Sequence, residues 1–537
     1  MTVSSTPVVT PLPTPALPGG RPNIVLAGFM GTGKTAIGRL LAEHLGLPFV
    51  DLDDVIRARA GVTIAELFER LGESGFRDLE RTAVTDAARL SGTVIATGGG
   101  APLDRRSFAP LAASGHVVVL AAQADEIARR LAGDADRPLL RGGDPGARVR
   151  ELLASRAGAY AALGPALDTS GRSAAEIAGE LSAQLARGSI STVTIDSEDG
   201  ETTVLIGDHA IGAAEEQLRR LLRGTPRAAV VADASVAGTH ALDVARILAD
   251  SGIEAIGPLE LPPGEAAKGV EALAGLWDRF HEALLDPSCA IVAVGGGAAL
   301  DVAGFAAATF ARGLRLVNVP TTILAMADAA LGGKVAIDHA GAKNLVGTFH
   351  PACLVIADTA TCRTLDPQTR RQGLAEIVKA GVLASPLVLE LIADAPLAWS
   401  VEQSVRVKAA YVSADPRDRG VRRALNLGHT YAHAIESASD HTVPHGDAVA
   451  MGLVAAARLG AALSTCDRGL ADRIAAVLER LGLPTQAPAL SEGRLLRAIS
   501  ADKKRADGAA RFVVPAADGA ALVSGVDPRE ALAMLRP

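Results

Sequence analysis

The sequence is poor in cysteine and in aromatic residues. Its four cysteines are Cys289, Cys353, Cys362 and Cys466, and none of them forms a C-x-x-C pair. Thiols scattered in this way are typical of a reducing cytosol and argue against a disulfide framework or a zinc site built on cysteine. With 3% aromatic but 49% hydrophobic residues, the composition indicates an alanine-rich globular α/β enzyme.

Long apolar runs and a basic leader are also missing. No stretch reaches the roughly 18 consecutive apolar residues of a membrane helix, and residues 1–20 contain neither Lys nor Arg. A signal peptide is therefore not expected, and residues 1–20 are predicted to be a disordered tail. The net charge of -7 gives no general attraction for nucleic acid. We expect a cytoplasmic protein that binds small molecules and has no nucleic-acid or membrane partner.

Short apolar strands alternate with amphipathic helices, which indicates parallel sheets covered by helices. The predicted strands are Ile24–Ala27, Phe49–Val50, Val94–Ala96, Val117–Leu120, Ala229–Ala232, Ile291–Val294 and Leu316–Val319. The predicted divisions are an α/β unit over residues 21–187, a polar joint over 188–191, a second α/β part over 192–350 and a mainly helical part over 351–537. The cleft between the last two parts is expected to hold a ligand.

A phosphate-binding loop follows the first predicted strand. Residues Gly28–Thr35 match G-x-x-x-x-G-K-[ST] between a strand and a helix, the context that this motif requires. Backbone N–H groups of Gly31, Thr32 and Gly33 are expected to wrap the phosphates of ATP. Lys34 would reach the transferring phosphoryl group, and the Thr35 hydroxyl would bind Mg²⁺.

Two aspartates end the second predicted strand. The Asp51 carboxylate can hold the magnesium shell, and the Asp53 carboxylate can accept the proton of an attacking hydroxyl. An aspartate after a strand is also a common helix cap, and this reading stays open for both residues.

Further segments resemble shikimate kinase over about residues 21–187. They are Arg77 in Phe-Arg-Asp-Leu-Glu, the triple glycine Gly98–Gly100, Arg137 in Asp-Arg-Pro-Leu-Leu, and Arg156. The resemblance implies that shikimate is bound by Asp53, Arg77, Gly98, Gly99, Gly100 and Arg156. It also implies that Arg137 lies in a lid over the phosphates and that Arg130 stacks on adenine. The family's Arg-x-Pro-Leu-Tyr is replaced by Arg156-Ala-Gly158-Ala-Tyr160, which puts the placing of Arg156 in question.

Four histidines cluster in the last third of the sequence. His429, His433, His441 and His445 fall within one short stretch, and the first two are spaced i, i+4 on a predicted helix. This spacing puts two rings on one face and can build a metal site. Histidines that cap or pack helices are the alternative.

The residues around this cluster resemble 3-dehydroquinate synthase from about residue 192 to 537. The matching segments are Leu425–Glu436, His445–Val449, Gly373–Lys379, Gly295–Gly297, Arg312-Gly313, Pro320–Thr322, Gly332–Lys334 and Lys343-Asn344. The resemblance implies that Glu376, His429 and His445 bind one divalent metal, Zn²⁺ or Co²⁺. It also implies a catalytic NAD bound by Asp233, Glu265, Lys268, Gly295, Gly296, Gly297, Asp301, Thr321, Thr322, Lys334, Lys343 and Thr364.

The same resemblance implies a phosphorylated, carboxylated sugar substrate, 3-deoxy-D-arabino-heptulosonate 7-phosphate, which is converted to 3-dehydroquinate and phosphate. The residues implied for substrate are Arg312, Asp328, Lys334, Lys379, Lys408, Arg422, Asn426 and Lys503, with His433 at the phosphate. It leaves open a homodimer through this half. The predicted fold is therefore an α/β P-loop kinase with a parallel sheet, an α/β NAD-binding domain and a helical metal-binding domain.

Three positions depart from the synthase pattern. Leu300 stands where the family has Gly, Val335 where it has Thr, and Asp447 where it has Glu. Leu300 is expected to add bulk near the nicotinamide, and Val335 to remove a hydroxyl near phosphate or cofactor. A different sugar-phosphate cyclase, a polyol dehydrogenase, or one inactive and regulatory half remain as alternatives. The intact ligand sets and the many anion-binding side chains favour two active enzymes.

Overall fold

The computed structural model describes residues 7–132, 144–185, 190–505 and 510–536. The chain divides into two compact units. The smaller unit comprises Gly20–Gly188 and Asp394–Trp399, and the larger unit comprises Met1–Gly19, Ser189–Ala393 and Ser400–Pro537. None of the described helices combines the length and the apolar character that a membrane crossing requires.

A five-stranded sheet forms the centre of the smaller unit, in the order β3-β4-β2-β5-β6, and every pairing is parallel. Its strands are β2 (Asn23–Gly28), β3 (Phe49–Asp51), β4 (Val94–Ala96), β5 (Gly115–Ala121) and β6 (Ala166–Asp168). Its helices are α1 (Lys34–Leu45), α2 (Leu52–Ala60), α3 (Ile64–Ala88), α4 (Arg105–Ala113), α5 (Ala124–Leu131), α6 (Pro145–Ala161) and α7 (Ala174–Leu185). Strand residues such as Leu26 and Val94 pack against α1 and α7. Burial on both faces explains why these strands are continuously apolar.

The larger unit contains a seven-stranded sheet in the order β10-β9-β11-β12-β15-β8-β7, parallel except for the β7–β8 pair. Its strands are β7 (Ser191–Ser197), β8 (Gly200–Gly207), β9 (Arg227–Asp233), β10 (Glu254–Leu261), β11 (Ala290–Gly295), β12 (Arg315–Pro320) and β15 (Leu354–Asp358). A separate antiparallel hairpin pairs β13 (Lys334–His339) with β14 (Ala342–Phe349). The first helices of this unit are α8 (Glu215–Leu221), α9 (Ala234–Ala237), α10 (His240–Asp250), α11 (Val270–Glu282) and α12 (Gly297–Thr309).

Helices dominate the chain after β15. They are α13 (Pro367–Ala384), α14 (Pro386–Leu391), α15 (Leu397–Ala414), α16 (His429–Ala438), α17 (His445–Ala462), α18 (Leu470–Arg480), α19 (Glu492–Arg505) and α20 (Pro528–Ala533). A small antiparallel sheet accompanies them, with β1 (Val8–Leu12) and β16 (Arg511–Pro515) on either side of β17 (Ala520–Ser524). The predicted α/β class, with a parallel sheet in each half and a helical last part, is confirmed.

The predicted disordered tail over residues 1–20 is wrong from Pro7 onward. Val8–Leu12 pair with β17, and the Leu12 side chain is buried. The prolines that suggested disorder are compatible with this strand because it is an edge strand, the place in a sheet where proline is tolerated. The predicted joint over residues 188–191 lies partly outside the described residues, and Ser191 already begins β7.

Candidate active sites

The phosphate-binding loop connects β2 to the first turn of α1. Gly28 and Gly33 have positive φ values of 147° and 94°, and a Cβ on Gly28 would overlap the Leu120 carbonyl oxygen. These positions therefore require glycine. Lys34 Nζ donates to the carbonyl oxygens of Gly28 at 2.9 Å and Phe29 at 3.0 Å, so the ammonium lies over the loop.

The structure brings the two predicted magnesium ligands together. The Thr35 hydroxyl, in the first turn of α1, donates to Asp51 Oδ2 at the end of β3 at 2.6 Å. The other oxygen of Asp51 accepts from the Asp53 backbone N–H at 3.0 Å and caps α2. The helix-cap reading of Asp51 is therefore correct, and the cap holds the carboxylate beside Thr35.

The side chains predicted to bind shikimate surround the triple glycine. A Cβ on Gly98 would lie 2.9 Å from Asp53 Oδ1, and a Cβ on Gly100 would overlap the Arg77 guanidinium. The Arg156 Nη1 donates to the Gly99 carbonyl at 3.3 Å, although the family's proline is missing after it. Because glycine has no side chain, these charged groups can approach the loop closely.

Glu80 belongs to this cluster and was missed by the sequence reasoning. Its Oε2 pairs with Arg77 Nη1 at 2.6 Å, while no described residue hydrogen-bonds to the buried Oε1. Burial raises the pKa of Glu80, and the Arg77 charge opposes that rise. The signal was the i, i+3 spacing of Arg and Glu on α3, which by itself is a common surface ion pair.

Of the two arginines predicted to bind the nucleotide, Arg130 lies within the described residues and Arg137 does not. Arg130 Nη1 donates to the Gly31 carbonyl at 3.2 Å, and its Nη2 donates to the Thr169 carbonyl at 2.8 Å. These bonds place it against the phosphate loop, and stacking on adenine stays a prediction. Arg137 lies outside the described residues.

The three predicted metal ligands of the larger unit meet at one point. One ligand atom each from Glu376 on α13, His429 at the start of α16 and His445 at the start of α17 lie within 4.8 Å of one another. Glu376 Oε1 is 3.5 Å from His429 Nε2 and 3.6 Å from His445 Nε2. Three ligands that converge with an open side are typical of a catalytic metal site.

The far nitrogen of each histidine is held by an acceptor. His429 Nδ1 is 3.2 Å from the Leu427 carbonyl oxygen, and His445 Nδ1 is 3.3 Å from Glu436 Oε2. Because both partners accept, each hydrogen bond needs a proton on Nδ1 and leaves the Nε2 lone pair for a metal. The site residues therefore fit a divalent cation. Glu436 is a second residue of the candidate sites that the sequence analysis did not single out.

The charges at this site favour a cation. Burial would raise the pKa of Glu376, but the charge of Lys379 and the contacts with both histidines hold it well below its ordinary value. Burial would lower the pKa of His445, yet Glu376 and Glu436 together raise it to about 10. The carboxylates that attract a proton here attract a divalent metal for the same reason.

A buried lysine pair lies beside the metal ligands. Lys379 Nζ is 3.9 Å and Lys408 Nζ 2.8 Å from Asp328 Oδ1, and Lys379 also pairs with Glu376. Burial would raise the pKa of Asp328, but the two ammonium groups lower it to about 2. These four side chains line one cavity. Buried charges of both signs next to a cavity are typical of a functional site.

Arg422 reaches this region from a short 3-10 turn, Val421–Asn426. Its Nη2 donates to the Gly332 carbonyl at 3.1 Å, while Asp415 accepts the backbone N–H groups of Gly420 and Arg422 and holds the turn in place. Asn426 ends the same turn.

The remaining residues assigned to substrate are less closely grouped. Lys334 pairs with Asp418, and the His433 ring centroid is 5.6 Å from that of His429. The Arg312 side chain is exposed and makes no hydrogen bond or ion pair with the described residues. The side chain of Lys503 lies outside the described part of α19.

The predicted NAD residues gather where β11 turns into α12. Gly295 has a φ of 153°, and Gly296 and Gly297 open the helix. Asp233 ends β9 and accepts the Gly264 N–H at 3.0 Å, while Thr321 donates its N–H to the Gly295 carbonyl at 2.9 Å. This strand–turn–helix suits a phosphate at the helix N-terminus.

Other members of the NAD set are joined by polar contacts. Lys268 Nζ donates to Asp301 Oδ2 at 2.6 Å and also to Asn344, and Lys343 is 3.7 Å from Glu265. A Cβ on Gly296 would touch the Thr322 methyl at 3.4 Å. The Thr364 hydroxyl is 3.2 Å from His240 Nε2.

The departures at positions 300 and 335 occupy apolar surroundings. Leu300 and Val335 are both buried, and a Cβ on Gly304 of α12 would lie 2.5 Å from Val335 Cγ1. The Val335 side chain of β13 therefore packs closely against α12 at Gly304. Asp447 contacts Gln372, whose Nε2 donates to Asp447 Oδ2 at 3.4 Å.

The two units thus define a P-loop kinase and a metal-binding enzyme with a dinucleotide-type turn. The shikimate kinase family model matches residues 30–186, and the N-terminal and C-terminal models of 3-dehydroquinate synthase match residues 258–372 and 373–505. The chain belongs to the 3-dehydroquinate synthase family and carries a shikimate kinase domain in the same polypeptide. It is an enzyme of both families, a phosphotransferase and a lyase.

Curated relatives support the synthase assignment. The chain is 40% identical over 321 residues to a 3-dehydroquinate synthase of Nocardia farcinica, covering 58% of this chain and 86% of the relative. It is 42% identical over 299 residues to that of Streptomyces avermitilis, covering 53% and 82%. The structure of a 2-epi-5-epi-valiolone synthase from Streptomyces hygroscopicus, with NAD⁺ and Zn²⁺ bound, has a TM-score of 0.56 and 24% identity, covering 62% and 95%. That likeness shows the fold alone.

Proposed function

We propose that the smaller unit phosphorylates shikimate with Mg²⁺ and ATP, through the residues gathered at the triple glycine. The contact between Thr35 and Asp51 supports a magnesium position, and Lys34 lies over the loop that would hold the phosphates. Asp53 accepts the proton of the attacking hydroxyl, the oxygen bonds to the γ-phosphorus, and ADP leaves. The products are shikimate 3-phosphate, ADP and the proton that Asp53 passes to solvent.

The carboxylate of shikimate is proposed to bind between Arg77 and Arg156. The pair with Glu80 fixes the direction of the Arg77 fork, and the bond to Gly99 fixes Arg156. A guanidinium already held in one orientation loses little freedom on binding, and it can grip a carboxylate through two hydrogen bonds.

The larger unit is proposed to convert 3-deoxy-D-arabino-heptulosonate 7-phosphate to 3-dehydroquinate and phosphate. The observation that carries this proposal is the convergence of Glu376, His429 and His445 beside the buried Lys379 and Lys408. Bound NAD would accept a hydride and return it, and a divalent metal would polarise a substrate oxygen. The three ligand side chains would hold Zn²⁺ or Co²⁺, and the β11–α12 turn would hold NAD.

The protein residues then bind, orient and neutralise the substrate. Lys379, Lys408 and Arg422 supply the positive charge that a phosphate and a carboxylate require, and Asp328 offers an acceptor for a hydroxyl. A polyol dehydrogenase would not need this concentration of buried cations. The charge of the cavity therefore favours a sugar phosphate. We further propose that the protein is cytoplasmic and that the synthase half can form a homodimer.

Replacing Gly100 by Ala is expected to raise the KM for shikimate about tenfold or more and to leave the KM for ATP nearly unchanged. The new Cβ would displace the Arg77 guanidinium, while the Gly100 φ of -104° accepts alanine without strain. Steady-state kinetics with each substrate varied in turn checks this, since loss of a charge-assisted bond costs roughly 1.5–3 kcal/mol. Gly179→Ala on α7, where a Cβ meets nothing within 4 Å, is the matched control. Equal KM values for both variants would contradict the assigned pocket.

The Lys34→Met variant is expected to lose kinase activity by at least about a hundredfold, because the cation that stabilises the transferring phosphoryl group is removed. Synthase activity should stay at the wild-type level, since the two residue sets lie in different units. Both activities are measured on the same purified sample. If synthase turnover also disappeared while the circular dichroism spectrum was unchanged, the two activities would not be separable.

Stripping divalent metal from the protein is expected to abolish synthase activity, and Zn²⁺ or Co²⁺ should restore it. The reason is that Glu376, His429 and His445 converge on one cation position. Kinase activity, assayed after Mg²⁺ is added back, serves as the control. Undiminished synthase turnover in a sample verified as metal-free by mass spectrometry would remove the assignment of these ligands.

The purified protein is expected to release one phosphate per 3-dehydroquinate formed from 3-deoxy-D-arabino-heptulosonate 7-phosphate. The buried cations are present, and Leu300 and Val335 carry neither charge nor metal. The comparison substrate is sedoheptulose 7-phosphate, which lacks the carboxylate. Phosphate release and product identity are measured for both. If only the comparison substrate were turned over, the larger unit would instead be assigned to the other sugar-phosphate cyclases.

A further inference from the structure

Residues Val8–Pro18, here called the strap, belong to the larger unit although they precede the whole smaller unit in sequence. The strap starts as the edge strand β1 and continues as an extended segment rich in proline. Pro11, Pro13, Pro15 and Pro18 restrict its backbone, so little conformational freedom is lost when it is laid down. A stiff segment of this kind can fix the position of whatever it touches.

The strap bonds to the two helices that carry the buried charges. The Thr14 hydroxyl donates to the Leu383 carbonyl near the end of α13 at 2.6 Å and lies 3.2 Å from the Tyr411 hydroxyl of α15. The Pro18 carbonyl accepts from Arg406 Nε of α15 at 2.9 Å. Glu376 and Lys379 lie on α13, and Lys408 lies between Arg406 and Tyr411 on α15.

The strap also supports the elements that carry His429 and Arg422. The strand β1 pairs along its whole length with β17, and β17 pairs with β16. The hydroxyl of Thr430, which directly follows His429, donates to the backbone carbonyl of Arg511 in β16 at 2.9 Å. The turn Val421–Asn426 packs against β1, β16 and β17. Helices α13, α15, α16 and α17 and the turn Val421–Asn426 are thus each in contact with the strap or with its sheet.

We propose that the strap is a positioning element of the synthase site, and that Thr14 is its central positioning residue. The bonds of Thr14 hold the ends of α13 and α15 at a fixed spacing, which sets the distance between Glu376 and Lys408. The sheet holds the start of α16 and so the Nε2 of His429. The metal affinity and the substrate affinity of the synthase half then depend on residues that precede the kinase domain in the sequence. This inference rests on the proposed synthase activity only for its substrate measurement.

The experiment compares the full chain, a chain lacking residues 1–19, and the variants Thr14→Val and Thr10→Val. Thr14→Val keeps the shape and removes both hydroxyl contacts. Thr10→Val is the matched control, because Thr10 is exposed in the same strap and its hydroxyl has no hydrogen bond with the described residues. Co²⁺ affinity is measured by titration of the cobalt absorption bands, and KM and kcat are measured for both reactions.

Thr14→Val is expected to weaken Co²⁺ binding and to raise the synthase KM, each about two- to tenfold. The deletion is expected to weaken Co²⁺ binding more than tenfold, in the range known for residues that orient metal ligands. Kinase constants and the Thr10→Val values should equal those of the full chain. A peptide of residues 7–20, added to the truncated chain, should restore Co²⁺ affinity, and a scrambled peptide should not.

Unchanged Co²⁺ affinity and unchanged synthase KM in Thr14→Val would overturn the positioning role, as would identical losses in Thr14→Val and Thr10→Val. If the truncated chain does not fold, Thr14→Val in the full chain decides the question. If the full chain binds Co²⁺ but does not turn over 3-deoxy-D-arabino-heptulosonate 7-phosphate, the proposed function fails, and the cobalt titration still decides the role of the strap.

Discussion

The buried carboxylate of Glu376 sets the constraint on which the synthase half depends. A charge removed from water is costly unless other charges and hydrogen bonds compensate it. Lys379 provides the compensating charge from the next helical turn, and the two histidine nitrogens face the other oxygen. The groups around this carboxylate come from three helices, so the site depends on how α13, α16 and α17 pack together.

Glycine plays the corresponding role in the kinase half. The charged groups of Asp53, Arg77 and Arg156 can converge only because the backbone at residues 98–100 carries no side chain. Glu80 then holds Arg77 from behind. The site therefore needs two features together: a glycine segment without side chains, and charged residues that approach it. Neither feature would form the site without the other.

Local sequence patterns predicted the structural elements that are determined by residues close together in the sequence. A strand, a glycine turn and a helix predicted the loop before Lys34, and the i, i+4 histidines predicted one face of α16. Asn426 and Arg422 were found only through the resemblance, because a 3-10 turn has no periodicity to read. Glu80 and Glu436 were missed because a carboxylate beside a base on a helix is usually a surface ion pair. The strand β1 was missed because its partner β17 is very distant in sequence, and a short proline-containing segment carries no sign of such pairing.

The pairing of β1 with β17 also has a consequence for how the protein assembles during synthesis. The ribosome releases Val8–Leu12 long before Ala520–Ser524, with the complete kinase sequence between them. The strand β1 therefore stays without its partner strand until β17 has been synthesised. Loop-closure entropy grows only slowly with loop length, so the long separation adds little to the free-energy cost of this pairing. The larger unit can thus complete this sheet only after nearly the whole chain has been synthesised.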